Sequence, residues 1–482
     1  MWNFGTIHVA GEDIAAEHDA RLDVISPATL KSVGQVGSGS AADIDKAVAS
    51  ARSAFDDGAW SVTTAAQRGI LLNRLADLVE EEAEELGAMD AVSIGRPVGE
   101  TQILDLPNAV ATFRYYAGWA DKIEGRVVPT SGYFGRKTHS FVTREPIGVI
   151  GMIVPWNTPL MILAWKLAPA LATGCTCVIK PAEQTPFSAI RIAQLAEKAG
   201  FPAGVINVVP GDGQIAGAAL SLHPRVDKIS FTGSPETGST VMRAASTTFK
   251  RVALELGGKS PQIVFDDCDL EAAVQGCAMG LFFNQGQVCA AGTRLFVQRS
   301  IADKFTEALT GAASSIAVGD PSQEGIQMGA LATRGQFERV DAYVKSGIAE
   351  GARMITGGPV AGDEGYFYRP TVFDQVDGKM KIVAEEIFGP VGCIIPFDDE
   401  AEAVRGANDT KYGLAATIWT RDIARALDTA AKVRAGAVSV NGWATIDPAL
   451  PWGGFKSSGI GRELGMSGIE ACTEEKVTTL VL

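Results

Sequence analysis

Cys289 stands in the stretch FFNQGQVCAAGTR, Phe282 to Arg294. Cysteines that only fill a core usually have apolar neighbours on every side. This one is preceded by Asn284, Gln285, Gly286 and Gln287 and followed by Ala290, Ala291 and Gly292. Small residues leave room for something to approach the sulfur, as a reactive thiol requires. Glu255 sits in VALELGGKSP, between apolar residues and a Gly-Gly pair. A carboxylate there is poorly solvated, so its pKa rises toward the range of a useful base. The glycines let the backbone pass close to a ligand. Asn157 follows Trp156 in IVPWNTPL, where an amide N–H at a strand end can donate to a developing oxyanion. None of these decides a reaction alone.

Other segments have the chemistry of a nucleotide site. KISFTGSPETG, Lys228 to Gly238, runs from a strand through a Gly/Ser loop into a helix, and backbone N–H groups at such a helix start suit a pyrophosphate. In PGDGQIAG, with Gly211, Gly213 and Gly217, the third glycine falls one residue late for G-x-G-x-x-G. A plain turn fits it equally well. CVIKPAEQTP places Lys180 and Glu183 just past a strand end, where ligands bind in open α/β sheets. A lysine there can hold ribose or phosphate oxygens. A glutamate can accept from a ribose 2′-OH and would repel a 2′-phosphate, which favours NAD over NADP. The bland alternative is two surface charges on a loop. EEIFGPV adds Glu386 and Phe388, and PWGGFKSSGIGRELG adds a second Gly-rich, aromatic-bearing loop.

The elements that must position these residues follow from pattern. From Ala41 to Gly87 the periodicity is helical, in DIDKAVASARSAF and RGILLNRLADLVEEEAEELG, with the acidic run Glu80 to Glu85 read as a solvated face. From Val142 the character changes. REPIGVIGMIVPW reads as one buried strand and PLMILAWKLAPALATG as an apolar helix ended by Gly174. CTCVIKP, GVINVVPG and KISFTGS read as strands, with SAIRIAQLAEKAG a helix among them. Such alternation predicts an α/β fold built on a parallel sheet. A second alternating series runs from Glu271 to about Gly436, and the terminal EKVTTLVL alternates like an edge strand.

The totals agree. A chain of 482 residues that is 46% hydrophobic and 20% charged has the size of roughly three ordinary domains. A net charge of -14 repels phosphate backbones and anionic lipid, so neither nucleic acid nor a membrane surface is an expected partner. The seven cysteines are odd in number and scattered, as reduced thiols in a cytoplasmic protein are. The N-terminal residues show no signal peptide pattern. Apolar runs such as IGVIGMIVP are broken by Pro or charge well before they could span a bilayer. No two of the four histidines share metal-ligand spacing, and Cys175 and Cys177 read as core packing, so no metal is expected.

Taken together, the segments resemble the aldehyde dehydrogenase superfamily over nearly the whole chain, in its non-acylating form. The matching pieces occur in family order: PWNTPL, KPAEQTP, FTGSPETG, ELGGKSP, FFNQGQVCAAGTR, EEIFGPV, NGW and PWGGFKSSGIGRE. The interval from Glu255 to Cys289, 289 − 255 = 34, is similar to the family's. The resemblance implies two Rossmann-like parallel-sheet α/β domains plus a β-ribbon for oligomerisation. The cofactor domain would span residues 1–122 and 143–256, and the catalytic domain 257–440. Residues 123–142 and 470–482 would form the ribbon, and 441–469 would return toward the cofactor domain.

The resemblance also implies roles. Cys289 would be the nucleophile and Glu255 the general base, with Asn157 and the Cys289 backbone N–H as the oxyanion hole. Lys180 and Glu183 would hold the adenosine ribose, Gly213 and Gly217 the adenine end, and Gly233 and Ser234 the pyrophosphate. Trp156, Glu386 and Phe388 would frame the cofactor, with Ile153, Phe231 and Leu256 beside it. Lys166 and Glu463 match positions linked to proton relay. Thr158, Met161, Ile162, Trp165, Val288, Ala290 and Trp452 would line the substrate tunnel. The expected cofactor is NAD, with NADP possible, the expected substrate an aldehyde, and the expected assembly a homodimer or homotetramer.

Two residues depart from common family patterns. Thr158 stands where the family often has an aromatic residue, which reshapes one tunnel wall. Trp452 occurs in betaine-aldehyde-type members, yet without a ring at Thr158 an aromatic box for a quaternary ammonium is incomplete. An apolar or aromatic aldehyde fits better. Three rivals remain at this level: a CoA-acylating semialdehyde dehydrogenase, against which Glu255 argues; a non-catalytic nucleotide-binding protein; and a cysteine hydrolase.

Overall fold

The strands Val149–Ile153, Thr176–Lys180, Ile206–Val208, Lys228–Thr232 and Arg251–Glu255 lie side by side and parallel in a computed structural model, which describes every residue except Met1, Ala361, Asp363 and Ala444. They are the centre of an eight-stranded sheet. Gly459–Ile460 closes one edge antiparallel, and Ile7–Val9 with Glu12–Ile14 closes the other. Their near-continuous apolar composition is what a parallel sheet covered on both faces requires.

The helix Pro159–Thr173 is buried at every residue. It has Pro at its first turn, where the missing N–H costs nothing. It stops at Gly174, whose φ of 98° suits glycine. An all-round apolar helix needs cover on all sides. The helices Ala65–Glu81 and Leu106–Trp119 supply most of it, and the helices Phe187–Ala199 and Gly465–Glu470 and strands beneath supply the rest.

The later alternating series forms a second sheet of seven strands. Pro261–Val264, Arg294–Gln298, Tyr368–Asp374, Val391–Phe397, Ala415–Trp419 and Ala437–Val440 are parallel, and Arg353–Pro359 runs antiparallel at one edge. A three-stranded antiparallel ribbon stands apart: Arg126–Val128, Thr138–Pro146 and Thr473–Val481. The terminal strand is its edge, as the alternation predicts. Val127 and Val477 on this ribbon are 65% and 68% exposed. A small sheet of Trp2–Asn3, Arg21–Ile25 and Ser32–Gly37 was not foreseen.

Two readings of the pattern are corrected. REPIGVIGMIVPW is not one strand. Its first part ends the ribbon strand at Pro146, four residues beyond residue 142, and its second begins the core sheet at Val149. Pro146 has no N–H to continue a ladder. Gly148 turns the chain at a φ of 127°, where a Cβ would lie 2.0 Å from an Asp227 carboxylate oxygen. The long helical stretch likewise divides at Glu82 into Ala65–Glu81 and Ala83–Ile94. The acidic run straddles this break and is not only a solvated face. Glu82 accepts two hydrogen bonds from Arg191 at 2.7 Å, and Glu80 pairs with Arg114.

Candidate active site

The helix Leu270–Phe282 ends in a turn, Phe283–Gly286, that reverses the chain ahead of Cys289. Asn284, Gln285 and Gly286 have φ of 49°, 56° and 69° in succession. Consecutive left-handed residues cost free energy and persist only where the surroundings over-determine them. Here they are over-determined. The Asn284 side-chain amide donates to the Asn157 carbonyl at 2.9 Å, and the Gln287 amide donates to the Asn284 carbonyl at 3.3 Å. The Ala332 N–H donates to Gln287 Oε1 at 2.9 Å. A Cβ on Gly286 would lie 2.3 Å from the Gly389 carbonyl oxygen, so only glycine fits there.

This turn ties the loop after the strand Val149–Ile153 to the segment that carries Cys289. Asn157 Nδ2 donates to the Gln287 carbonyl at 3.0 Å, two residues before Cys289. Cys289 is half-buried. Burial first, and then the nearby Glu386 and Glu255, push its thiol up to about 12. The resting sulfur is therefore protonated and needs a base. Glu255 ends the strand Arg251–Glu255, only 5% exposed, and neither carboxylate oxygen has a hydrogen-bond partner among the described residues. Burial raises its pKa well above the ordinary carboxylate value. Glu463 adds to the rise, while Lys166 and Arg462 oppose it. Lys166 and Glu463 are ion-paired at 2.5 Å and share Ser230, whose hydroxyl donates to Glu463 at 2.9 Å.

Two cavities meet at these groups. The larger, about 360 Å³, is lined by Trp156, Gly233, Ser234, Glu386 and Phe388 among others. The smaller, about 40 Å³, is lined by Thr158, Met161, Ile162, Trp165, Val288, Ala290 and Trp452 among others. Asn157, Thr232, Glu255, Leu256 and Cys289 line both.

The larger cleft fits a dinucleotide. Ser234 caps the helix Pro235–Ser246 and accepts from the Thr237 N–H, so a helix start with unsatisfied N–H groups faces the cleft. The Trp156 and Phe388 rings meet edge-to-face at 5.3 Å. Glu386 accepts from the Gly258 N–H at 2.9 Å, and a Cβ on Gly257 would overlap its carboxylate. Burial raises the Glu386 pKa to about 7. Lys180, Ile153, Phe231 and Leu254 stand in one register row at the C-terminal rim of the first sheet, where ligands of open α/β folds bind. Lys180 bonds Glu183 at 2.9 Å, and a Cβ on Gly213 would lie 3.6 Å from that same carboxylate. These rim residues lie outside the lining of the main cleft. Gly217 is buried at the end of the turn Gly213–Gly217.

The model of the aldehyde dehydrogenase family matches residues 14–478. Chicken aldehyde dehydrogenase 1A1 is 47% identical over 95% of this chain and 90% of its own. Human mitochondrial aldehyde dehydrogenase is 46% identical over 96% and 90%. An aldehyde dehydrogenase of Bacillus cereus, solved as an NAD+ complex, superposes with a TM-score of 0.97 at 43% identity, covering 99% of this chain and 96% of that one. The chain belongs to the aldehyde dehydrogenase family. A betaine aldehyde dehydrogenase of Staphylococcus aureus has the same fold, with a TM-score of 0.96 at 39% identity over 98% of this chain and 94% of that one.

Several residues of this family member's site escaped sequence reasoning. Leu104, Phe283, Trp443 and Ile446 also line the smaller cavity, and the Trp443 indole donates to the Ala290 carbonyl at 3.3 Å. Phe283 in the cysteine stretch and the tryptophan of the loop NGW stand in segments visible as signals; Leu104 and Ile446 come from segments with none. Gln336, Arg339, Tyr343, Lys411 and Tyr412 line the main cleft. Gln336 donates to the Phe388 carbonyl at 2.7 Å and Arg339 to the Glu386 carbonyl at 2.7 Å. They brace a loop in which Phe388 has a φ of 61°. Among the described residues, no helix is long and apolar enough to cross a membrane.

Proposed function

We infer that this chain is an NAD-dependent aldehyde dehydrogenase that oxidises aldehydes to carboxylic acids through Cys289. The observation that carries this is the convergence of two cavities on a half-buried thiol and a buried, unpartnered carboxylate. Glu255 takes the thiol proton, and the sulfur adds to the aldehyde carbon. The carbonyl π pair moves to oxygen, where the second Asn157 amide hydrogen and the Cys289 N–H stabilise it. NAD bound in the larger cleft supplies the acceptor for the hydride that leaves the aldehyde carbon. Cys289 holds the acyl group as a thioester until a water deprotonated by Glu255 attacks it, releasing the acid and the thiol. Lys166, Ser230 and Glu463 lie next to Glu255 as an outlet for the proton.

Lys180 and Glu183 suit the adenosine ribose and favour NAD over NADP, with Gly213 beside them. The tunnel walls are apolar and rich in rings: Phe283, Trp165, Trp443 and Trp452. With Thr158 in place of a ring, they suit a neutral apolar or aromatic aldehyde better than a quaternary ammonium. In this reading the first sheet belongs to a cofactor domain and the second to a catalytic domain. The exposed apolar ribbon joins subunits in a homodimer or homotetramer, because an unpaired apolar edge is a liability. A cytoplasmic location fits the free, scattered cysteines.

The test is reduced-cofactor formation by purified protein with NAD or NADP, across aliphatic, aromatic and betaine-type aldehydes, with and without added CoA. Acid formation with NAD and an aromatic aldehyde, abolished by Cys289→Ala, is expected. No turnover with any aldehyde refutes the reading. A strict need for CoA shows an acylating enzyme instead.

A further inference from the structure

A half-buried carboxylate, Glu100, flanked in sequence by a buried ion pair, touches the cysteine loop. Arg96 and Asp105 are 1% and 0% exposed and ion-paired with each other. Glu100 lies between them in sequence, at the end of the turn Val98–Glu100. Its two carboxylate oxygens stand 3.2 and 3.4 Å from the Asn284 backbone nitrogen, 184 residues away. That N–H belongs to the first left-handed residue of the turn before Cys289. Asn284 is itself fully buried, so its N–H would lose its acceptor without Glu100. Burial raises the Glu100 pKa to about 7, with Arg96 and the Asn284 N–H opposing the rise.

The bonds beyond Asn284 lead straight to the reacting atoms. Its side chain holds the Asn157 carbonyl, its carbonyl accepts from the Gln287 amide, and the Gln287 carbonyl accepts from Asn157 Nδ2. We propose that Glu100 is a positioning residue for the oxyanion hole: its carboxylate anchors the Asn284 N–H and so fixes the strained turn that aims the Asn157 amide beside Cys289. An unanchored turn can relax toward ordinary backbone angles, and the Gln287 carbonyl then shifts with the Asn157 amide bound to it. Displacements of this size at a donor are costly because oxyanion stabilisation depends on preorganised geometry. This rests on the roles given above to Cys289 and Asn157.

The test reads the hole without the cofactor. An activated aryl ester presents a carbonyl that Cys289 attacks, and its cleavage needs no dinucleotide. Glu100→Ala is expected to lower ester cleavage and aldehyde kcat together by about tenfold or more, the worth of one hydrogen bond from a buried N–H to a carboxylate. NAD affinity stays close to wild type, and Tm drops modestly, because the buried Asn284 N–H loses its acceptor. Glu100→Gln, which keeps the shape and a neutral acceptor, falls between the two. In an Asn157→Ala background the Glu100→Ala change is expected to cost less than about threefold, because the donor it serves is gone. The same loss in both backgrounds, rates within twofold of wild type, or a loss matched by weaker NAD binding overturns the proposal. If Glu100→Ala does not fold, Glu100→Gln decides by the same two-background comparison. Wild-type protein that cleaves the ester but oxidises no aldehyde overturns the parent function, while the ester rates still judge Glu100.

Discussion

Asn157→Ala is the sharpest probe of the chemistry. Asn157 is 4% exposed, and one of its two amide hydrogens is committed to the Gln287 carbonyl at 3.0 Å. The other has no acceptor among the described protein groups and is the one available to the oxyanion. Removing a single preorganised oxyanion donor costs about 3–4 kcal/mol, or roughly 10²–10³ in kcat. The stability cost is smaller. The Gln287 carbonyl keeps a second donor, the Asn284 side chain, at 3.4 Å, so the loss is on the order of one hydrogen bond, about 1–2 kcal/mol. The variant therefore folds, with a modest drop in Tm. Steady-state oxidation of the best aldehyde measures kcat, and iodoacetamide labelling of Cys289 controls for the thiol. Labelling needs a thiolate but no oxyanion hole, so it is expected to stay within about threefold. A kcat within tenfold of wild type refutes the oxyanion assignment. A parallel collapse of labelling shows that Asn157 acts on the sulfur instead.

Other outcomes follow from the same geometry. Glu255→Gln keeps the shape but cannot take a proton from water, so kcat is expected to fall by roughly 10²-fold or more; unchanged steady-state turnover rules Glu255 out as the base. Because the Cys289 thiol is pushed up to about 12, its thiolate fraction rises about tenfold per pH unit below that value. Alkylation of dinucleotide-free protein should then climb from about pH 6 to about pH 9, and a plateau below pH 8 contradicts the burial argument. Burial raises the Asp90 pKa to about 7, above its unfolded value. Its contribution to stability is thus present below about pH 4 and lost as pH rises through about 7. Asp90→Asn, which keeps an acceptor for the Leu160 N–H, should be the more stable protein at pH 8 by at most about 4 kcal/mol and no better at pH 4; equal Tm values at pH 8 contradict this. Trp452 is 6% exposed and packs 5.8 Å from Trp165. Trp452→Ala should raise KM for an aromatic aldehyde by roughly tenfold or more and for a short aliphatic one much less, and equal changes for both refute a ring-lined subsite.

Much was legible in the chain order because it depends on local chemistry. Small residues around Cys289, apolar residues and glycines around Glu255, and an amide after a strand at Asn157 each mark a candidate within a few positions, and their order along the chain gives the family. Alternating strand and helix patterns likewise yield parallel sheets, since each apolar strand must be covered on both faces. Gly174 ends its helix for a backbone reason that any sequence reader can apply.

What stayed hidden depends on where distant segments meet. The apolar run after Arg144 carries no mark of the change of sheet at Gly148, because hydrophobicity says that a strand is buried and not in which sheet. Gln336, Arg339, Leu104 and Glu100 carry no signal in their own neighbourhoods; each matters only because the fold sets it against Phe388, Glu386, the tunnel or Asn284. The sequence by itself determined the candidate groups and the family, since residue type, immediate surroundings and motif order are local properties of the chain. Only the tertiary structure decided how those groups are aimed, because the hydrogen bonds that hold a strained turn in place come from parts of the chain far apart in sequence.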